Sequence, residues 1–242
     1  MYFKRIGTAF ITTFRELRMP FVMTLAYEIL FVLVVTLIAV GGRHFLGVVG
    51  TQFSAPTYVT ESTAAAVQSF FLQSMGVMLA TLAAIIVAYI ILQGFAWLAV
   101  VGKKPSGRFF VKFFLLNAGW LFVWAVVGWF FIVGLKSQFA TVGLITLALL
   151  FLHLTALLQH ASVSQGLSVK QSIAYAFSTG IGKLHRFIVP YLLAVVLFLL
   201  WSQVWRIVPA QSISGFSFVV LACVIFAPFL AWYKFYLHKL LV

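Results

Sequence analysis

Residues Phe21–Val40, FVMTLAYEILFVLVVTLIAV, decide the fold because this run carries a single charged side chain, Glu28. An α-helix rises about 1.5 Å per residue, so about 20 apolar residues cross the roughly 30 Å hydrocarbon layer of a bilayer. A basic segment precedes the run, but its apolar length exceeds the roughly 7–15 residues of a signal-peptide core. The sequence therefore predicts a retained transmembrane helix.

The rest of the chain has the same character. Of its 242 residues, 64% are hydrophobic and 8% are charged, whereas a soluble domain carries about 25% charged residues. Runs such as Val77–Leu92 do not alternate between apolar and polar positions, as barrel strands do. We therefore expect an all-α polytopic membrane protein, one domain over residues 1–242, with spans at about 20–41, 74–101, 113–135, 140–160, 188–208 and 217–238.

The positions of Lys and Arg predict the orientation. With the N-terminus inside, 13 of the 16 basic residues, including Lys234, fall in cytoplasmic segments, and each outer segment keeps one: Arg43, Lys136 and Arg206. The positive-inside rule thus predicts that both termini lie in the cytoplasm. The membrane is then expected to be the cytoplasmic one, that is, the inner or plasma membrane. The net charge of +13 then indicates contact with anionic lipid headgroups, not with nucleic acid. Cys223 stands alone, so no intramolecular disulfide is possible.

The six spans are predicted to form three hairpins with amphipathic helices on the cytoplasmic side. Residues 1–19 and 165–186 both place apolar side chains at helical spacing, and Ser168 with Gln171 forms a capping-box pattern. Residues 42–73 form the sizeable outer loop, although Thr60–Thr63 resembles a helix N-terminus. Pro228, inside the sixth span, is expected to kink it.

The segment SVKQSIAYAF, residues 168–177, precedes the fifth span. Together with the layout of three hairpins, it resembles a group of six-span prokaryotic membrane proteins that includes the YciC-like proteins. The same group includes the membrane domain attached to some glycerophosphoryl diester phosphodiesterases. The resemblance implies a helical six-span fold and no defined activity, because the catalytic phosphodiesterase domain is not part of this sequence.

Glu28 is the main candidate for intramembrane chemistry, because an unpaired carboxylate inside a span costs a few kcal/mol. One hypothesis is a proton- or cation-linked site that Glu28 forms with His153 or His160. The favoured alternative is structural: a polar contact between helices, or a carboxylate that reaches towards Arg18 and headgroup water. By depth, the possible partners are Gln93, Asn117, His153, Gln159 and His160.

His153 and His160 lie seven residues apart, two turns along one helix face. Metal ligands on a helix are usually four residues apart, and no other Cys, His or carboxylate set completes a site. The sequence therefore predicts no metal site and favours structural roles for both histidines.

Gly76, Ala80, Ala84 and Ala88 recur every four residues on the second span. Such small-residue seams allow another helix to approach closely. We favour a partner helix within the same chain, because six spans must pack together, and a helix of another protein is the alternative.

Three functions follow as hypotheses. The first is a non-enzymatic membrane subunit or scaffold without a cofactor, which packs with partner proteins and lipids. The abundant aromatic side chains and the absence of P-loop, dinucleotide and GxSxG motifs favour it. The second is a small transporter or channel centred on Glu28. The third, an intramembrane lipid-processing enzyme, needs Glu28, Gln93, Asn117 and His153 to meet at one depth. A quinone or lipid pocket has no support at this level, because such pockets need convergent polar groups.

Overall fold

The computed structural model describes residues 8, 11–13, 19–51, 61–134, 137–207 and 215–241. Within these ranges the chain is helical apart from short turns, and it forms no strand. The predicted interfacial helix 1–19 lies mostly outside the described residues. The described elements are α1 (Met19–Thr51), α2 (Glu61–Val101), α3 (Gly107–Gly134), α4 (Ser137–Ser164), α5 (Val169–Gly180), a 3-10 helix (Leu184–Phe187), α6 (Ile188–Ile207) and α7 (Gly215–Leu241).

Five segments in the described ranges are long and apolar enough to cross a membrane, and they belong to α1, α2, α3, α4 and α7. A sixth is reached only if two segments, Val169–Gly180 and Leu184–Leu197, count as one span that bends by 81°. The prediction of an all-helical chain with several helices able to span a membrane is confirmed for the described residues. The predicted fifth span, 188–208, corresponds to α6, of which the residues up to Leu197 are counted as a span together with the bent segment before them.

The predicted outer loop 42–73 is wrong in its extent. Helix α1 continues to Thr51, and α2 begins at Glu61, near the predicted helix start. The sequence suggested a loop because Gly41 and Gly42 interrupt the apolar run. Gly42 instead lies where α1 and α2 pack closely, since a Cβ there would come 2.8 Å from Cγ2 of Thr81. Glycine at this position lets the two helices approach.

The predicted amphipathic segment 165–186 is divided into two parts by the bend. Its first part, α5, begins with the predicted capping box: the Ser168 hydroxyl accepts the Gln171 N–H, and the Gln171 side chain accepts the Ser168 N–H at 3.0 Å. These two bonds satisfy backbone donors that the first turn leaves free.

Helix α5 folds back along α4. A Cβ on Gly180 would lie 2.7 Å from Leu154, which is 10 residues before the end of α4 at Ser164. At 1.5 Å per residue, the end of α5 therefore lies about 15 Å along α4 from its C-terminus. The contact with α4 covers Ser172, Ala176, Thr179 and Gly180, which are buried.

Several helix ends meet at one end of the bundle. Lys103, the second residue after α2, donates from Nζ to the carbonyls of Val163 (2.7 Å) and Ser164 (3.0 Å) and so caps the end of α4. The start of α1 meets the end of α7, where the rings of Phe21 and Phe235 lie 5.8 Å apart. The start of α1 and the end of α7 thus lie at the same end of the bundle, as they do when helices are paired as hairpins.

Candidate functional site

Glu28 has a fully buried side chain at the contact of α1, α2 and α7. Lys234 of α7 donates to Oε1 of the carboxylate, and Gln93 of α2 donates to Oε2 at 3.0 Å. Lys234 is itself only 5% exposed, and its Nζ also lies 5.9 Å from the ring centre of Trp97. Both carboxylate oxygens therefore have a partner, and the charge of Glu28 is offset by that of Lys234.

Gln93 was among the predicted partners of Glu28, whereas Lys234 was missed. The charge tally assigned Lys234 to the cytoplasmic surface, but it lies inside α7 and is buried. One signal could have identified it. Lys234 stands about one turn before the predicted end of the sixth span, and Glu28 about two turns from the cytoplasmic end of the first. The bounds of the two predicted spans thus place the two charges within about one turn of each other in depth, although Lys234 was not among the predicted partners.

A second buried network joins α2, α3 and α4 around Gln159. Its carbonyl oxygen accepts the indole N–H of Trp97 at 2.7 Å, and its amide nitrogen donates to Asn117 at 2.6 Å and to the Tyr89 hydroxyl at 2.9 Å. Asn117 in turn donates to the Phe113 carbonyl. Gln159 and Asn117 thus satisfy each other and neighbouring groups, and neither hydrogen-bonds Glu28.

His153 connects α4 to the bend and to α7. Its Nε2 lies 3.3 Å from the Gly180 carbonyl, which can only accept, so Nε2 carries a hydrogen. Its Nδ1, 3.2 Å from the Tyr233 hydroxyl, then accepts from that hydroxyl. The ring packs on Phe187, with centroids 4.5 Å apart. His153 is therefore engaged in packing the bend.

His160 lies 3.3 Å from His238 through Nε2, and its ring packs against Trp97. Neither His153 nor His160 hydrogen-bonds Glu28, so the hypothesised carboxylate–histidine pair is not formed. The four groups required for a lipid enzyme are likewise split between separate networks. In the part of the chain that the structure describes, no three His, Cys, Asp or Glu side chains are grouped to hold a metal ion.

The small-residue seam on α2 is left open by the described chain. Gly76, Ala80 and Ala84 are exposed, and Ala88 is half-buried. A Cβ on Gly76 would meet no atom within 4 Å. The close contact of α2 with α1 lies at Thr81 instead, so the favoured internal partner for the seam is not present among the described helices.

A cavity of about 150 Å³ lies between α1, α2, α4, α6 and α7. Its lining includes the polar or titratable side chains of Gln93, Lys234, His153, Tyr191 and Tyr233. The remaining wall is mostly apolar. The cavity thus collects polar groups from four helices that are far apart in the sequence, a convergence that the sequence did not reveal.

No family model matches the chain, and no curated protein or solved structure matches it. Its function is therefore inferred from its own residues and their geometry.

Proposed function

We propose that the chain is a non-enzymatic integral membrane subunit or scaffold that packs with partner proteins and lipids. In this proposal it resides in the cytoplasmic membrane and crosses it six times as three hairpins, the third containing the bent pair α5 and α6. Both termini are in the cytoplasm. The positive-inside distribution of Lys and Arg supports this orientation, as does the meeting of helix ends near Lys103 and Phe21.

The observation that carries the proposal is the open face of α2. Gly76, Ala80 and Ala84 are exposed on a helix whose neighbouring surface is also apolar, with Met75 43% and Leu79 59% exposed. In a membrane, helices associate through close backbone contact because burying apolar surface from lipid gives little free energy. A face of small residues is suited to such contact, and a helix of a partner protein is the occupant we propose.

The buried polar groups support a structural role for the interior. Glu28 is closed off by Lys234 and Gln93, and Gln159 has its own set of partners. Satisfied polar contacts between spans stabilise a bundle. A bundle fixed in this way presents its outer surface in one arrangement, which is what a subunit or scaffold needs.

The resemblance to YciC-like proteins agrees with this proposal, because it implies the same layout and no reaction. Anionic headgroups are the proposed lipid partners at the end of the bundle where Lys104, Arg108 and Lys170 are exposed. Lysine and arginine near the surface of an anionic leaflet each contribute about 1 kcal/mol of attraction.

Purification of the tagged full chain from native membranes in a mild detergent tests the proposal. We expect a partner protein in fixed stoichiometry by native mass spectrometry. Ala80→Phe should remove it, because the ring prevents close approach, whereas Val196→Phe on the exposed surface of α6 should not. A chain that isolates alone as a monomer, or a partner retained equally by both variants, would contradict the proposal.

A small transporter is a second candidate, and the cavity beside Gln93 and Lys234 is the observation that favours it. Transport requires that an aqueous solution reaches this cavity from one side. A Cys223→Ala, Ala156→Cys variant places one thiol in the cavity wall. Labelling by a charged maleimide from either side of sealed vesicles would support transport. Labelling only by a membrane-soluble maleimide would count against it.

A further inference from the structure

The cavity of about 150 Å³ has a membrane-facing rim and a mostly apolar wall that includes several polar side chains. Leu152, which lines it, is 53% exposed on the outer surface of α4, inside the segment Thr146–Ser164 that is apolar enough to span the bilayer. A molecule that enters past Leu152 arrives from the hydrocarbon layer. A ligand that takes this route is therefore lipid-soluble, with a mostly apolar surface.

The hydrogen bonds around the cavity indicate which polar groups the ligand carries. The Tyr89 hydroxyl accepts from Gln159, and its own hydrogen has no acceptor among the described residues. Tyr191 packs on His153 through its ring, and its hydroxyl also has no hydrogen-bond partner in the described ranges. Tyr233 already donates to His153. Two residues that line the cavity, Tyr89 and Tyr191, thus each carry a hydroxyl hydrogen without an acceptor among the described residues, which favours a ligand with acceptor oxygens.

The volume of the cavity and its aromatic lining favour a ligand with a flat ring. A dry apolar cavity of about 150 Å³ holds one benzene-sized molecule. Much of the lining is aromatic and comes from four helices: Phe31, Tyr89, Tyr191, Phe229 and Tyr233. Aromatic walls favour planar ligands through stacked and edge-to-face contacts.

We propose that this cavity binds the ring of a lipid-soluble quinone, a six-membered ring with carbonyl oxygens and a hydrocarbon tail. The hydroxyls of Tyr89 and Tyr191 donate to the carbonyl oxygens, and the tail leaves past Leu152 into the bilayer. The proposal concerns binding alone and involves no electron transfer. It goes beyond the role of the α2 face, which lies on a different surface.

An apolar groove elsewhere on the molecule provides the contrast. It has a volume of about 670 Å³ and is lined by α2, α3 and α4, including Leu82, Phe122, Ala125 and Phe151. Trp124 is its one lining residue with a polar side-chain atom, and its indole N–H is buried without a partner. The larger volume and apolar lining of the groove suit acyl chains, whereas the smaller cavity is lined by residues with hydroxyl donors for a ring with carbonyl oxygens.

Equilibrium binding of a radiolabelled decyl-benzoquinone tests the proposal. The full chain is reconstituted in phosphatidylcholine nanodiscs, and binding to empty nanodiscs is subtracted. We expect saturable binding with one quinone per chain. Decylbenzene, which has the same ring size and tail but no oxygens, should compete at least about 10-fold less well, since it cannot accept hydrogen bonds. Absent saturable binding, or equal competition by decylbenzene, would overturn the proposal.

Variants locate the site. Ala194→Trp fills the cavity and should abolish saturable binding, whereas Ala125→Trp in the apolar groove should leave it unchanged. Tyr191→Phe removes one hydroxyl and should weaken binding about 2- to 10-fold. If Ala194→Trp fails to fold, the Tyr191→Phe result decides. Unchanged binding in Tyr191→Phe, or loss of binding in Ala125→Trp, would place the quinone elsewhere and refute the assignment.

Discussion

Replacement of Lys234 by Met removes the cation that neutralises Glu28 and leaves the carboxylate with one hydrogen bond, from Gln93. Glu28 is 0% exposed, so water cannot replace the lost partner. Breaking a buried ion pair costs about 3–5 kcal/mol, and a charge within a span costs about 3 kcal/mol. We therefore expect Lys234→Met to lower the free energy of unfolding by about 3 kcal/mol, which reduces the folding equilibrium constant about 100-fold.

The double variant Glu28→Gln, Lys234→Met distinguishes pairing from a simple loss of packing. Because it removes both charges, its stability should return to within about 1 kcal/mol of the unmodified chain. Unfolding by sodium dodecyl sulfate in mixed micelles, followed by far-ultraviolet circular dichroism, measures both. Lys170→Met, at an exposed position on α5, is the control and should change stability by less than about 0.5 kcal/mol. A single variant that loses less than about 1 kcal/mol, or a double variant as unstable as the single one, would refute the reasoning.

Three further predictions concern local packing and capping, each measured by the same unfolding assay. Gly42→Leu should destabilise the chain by about 1–3 kcal/mol, because the new side chain meets Thr81, whereas Gly41→Leu, with open space around its Cβ position, should change stability much less. Ser168→Ala should lower stability by about 1 kcal/mol through loss of the cap on α5, and unchanged stability would show that the capping box is not needed. Lys103→Met should lower stability by about 1–2 kcal/mol, because it removes two hydrogen bonds to the end of α4; no change would indicate that water replaces them.

Local features of the fold were predictable because they depend on neighbouring residues. The apolar run from Phe21 predicted helix α1, and the run before Gly102 placed the end of α2, where Gly102 adopts φ +70° and the Lys103 N–H bonds to the Leu98 carbonyl. Ser168 predicted its own cap. The early start of α2 was indicated by Thr60–Thr63, which resembles a helix N-terminus. The continuation of α1 past Gly42 was not predictable, because Gly42 serves as a helix contact only once Thr81 is opposite it.

The candidate site was predictable in part. Glu28 was identified because a lone acid in a span needs a partner, and Gln93 was identified by depth. Lys234 was missed because its charge was already explained by the positive-inside rule, although the predicted spans place it near the depth of Glu28. The cavity could not be predicted, because its lining comes from five helices whose relative rotation the sequence does not specify.

Site-specific photo-crosslinking in native membranes tests the proposed role most directly. A photoreactive residue at position 80 should give one discrete protein adduct, since Ala80 stands in the open small-residue face of α2. The same group at position 196 on α6 should give lipid adducts. If a partner helix packs on this face, the protein adduct at position 80 should disappear when Ala84→Phe blocks the same face. Lipid adducts alone at both positions would contradict it.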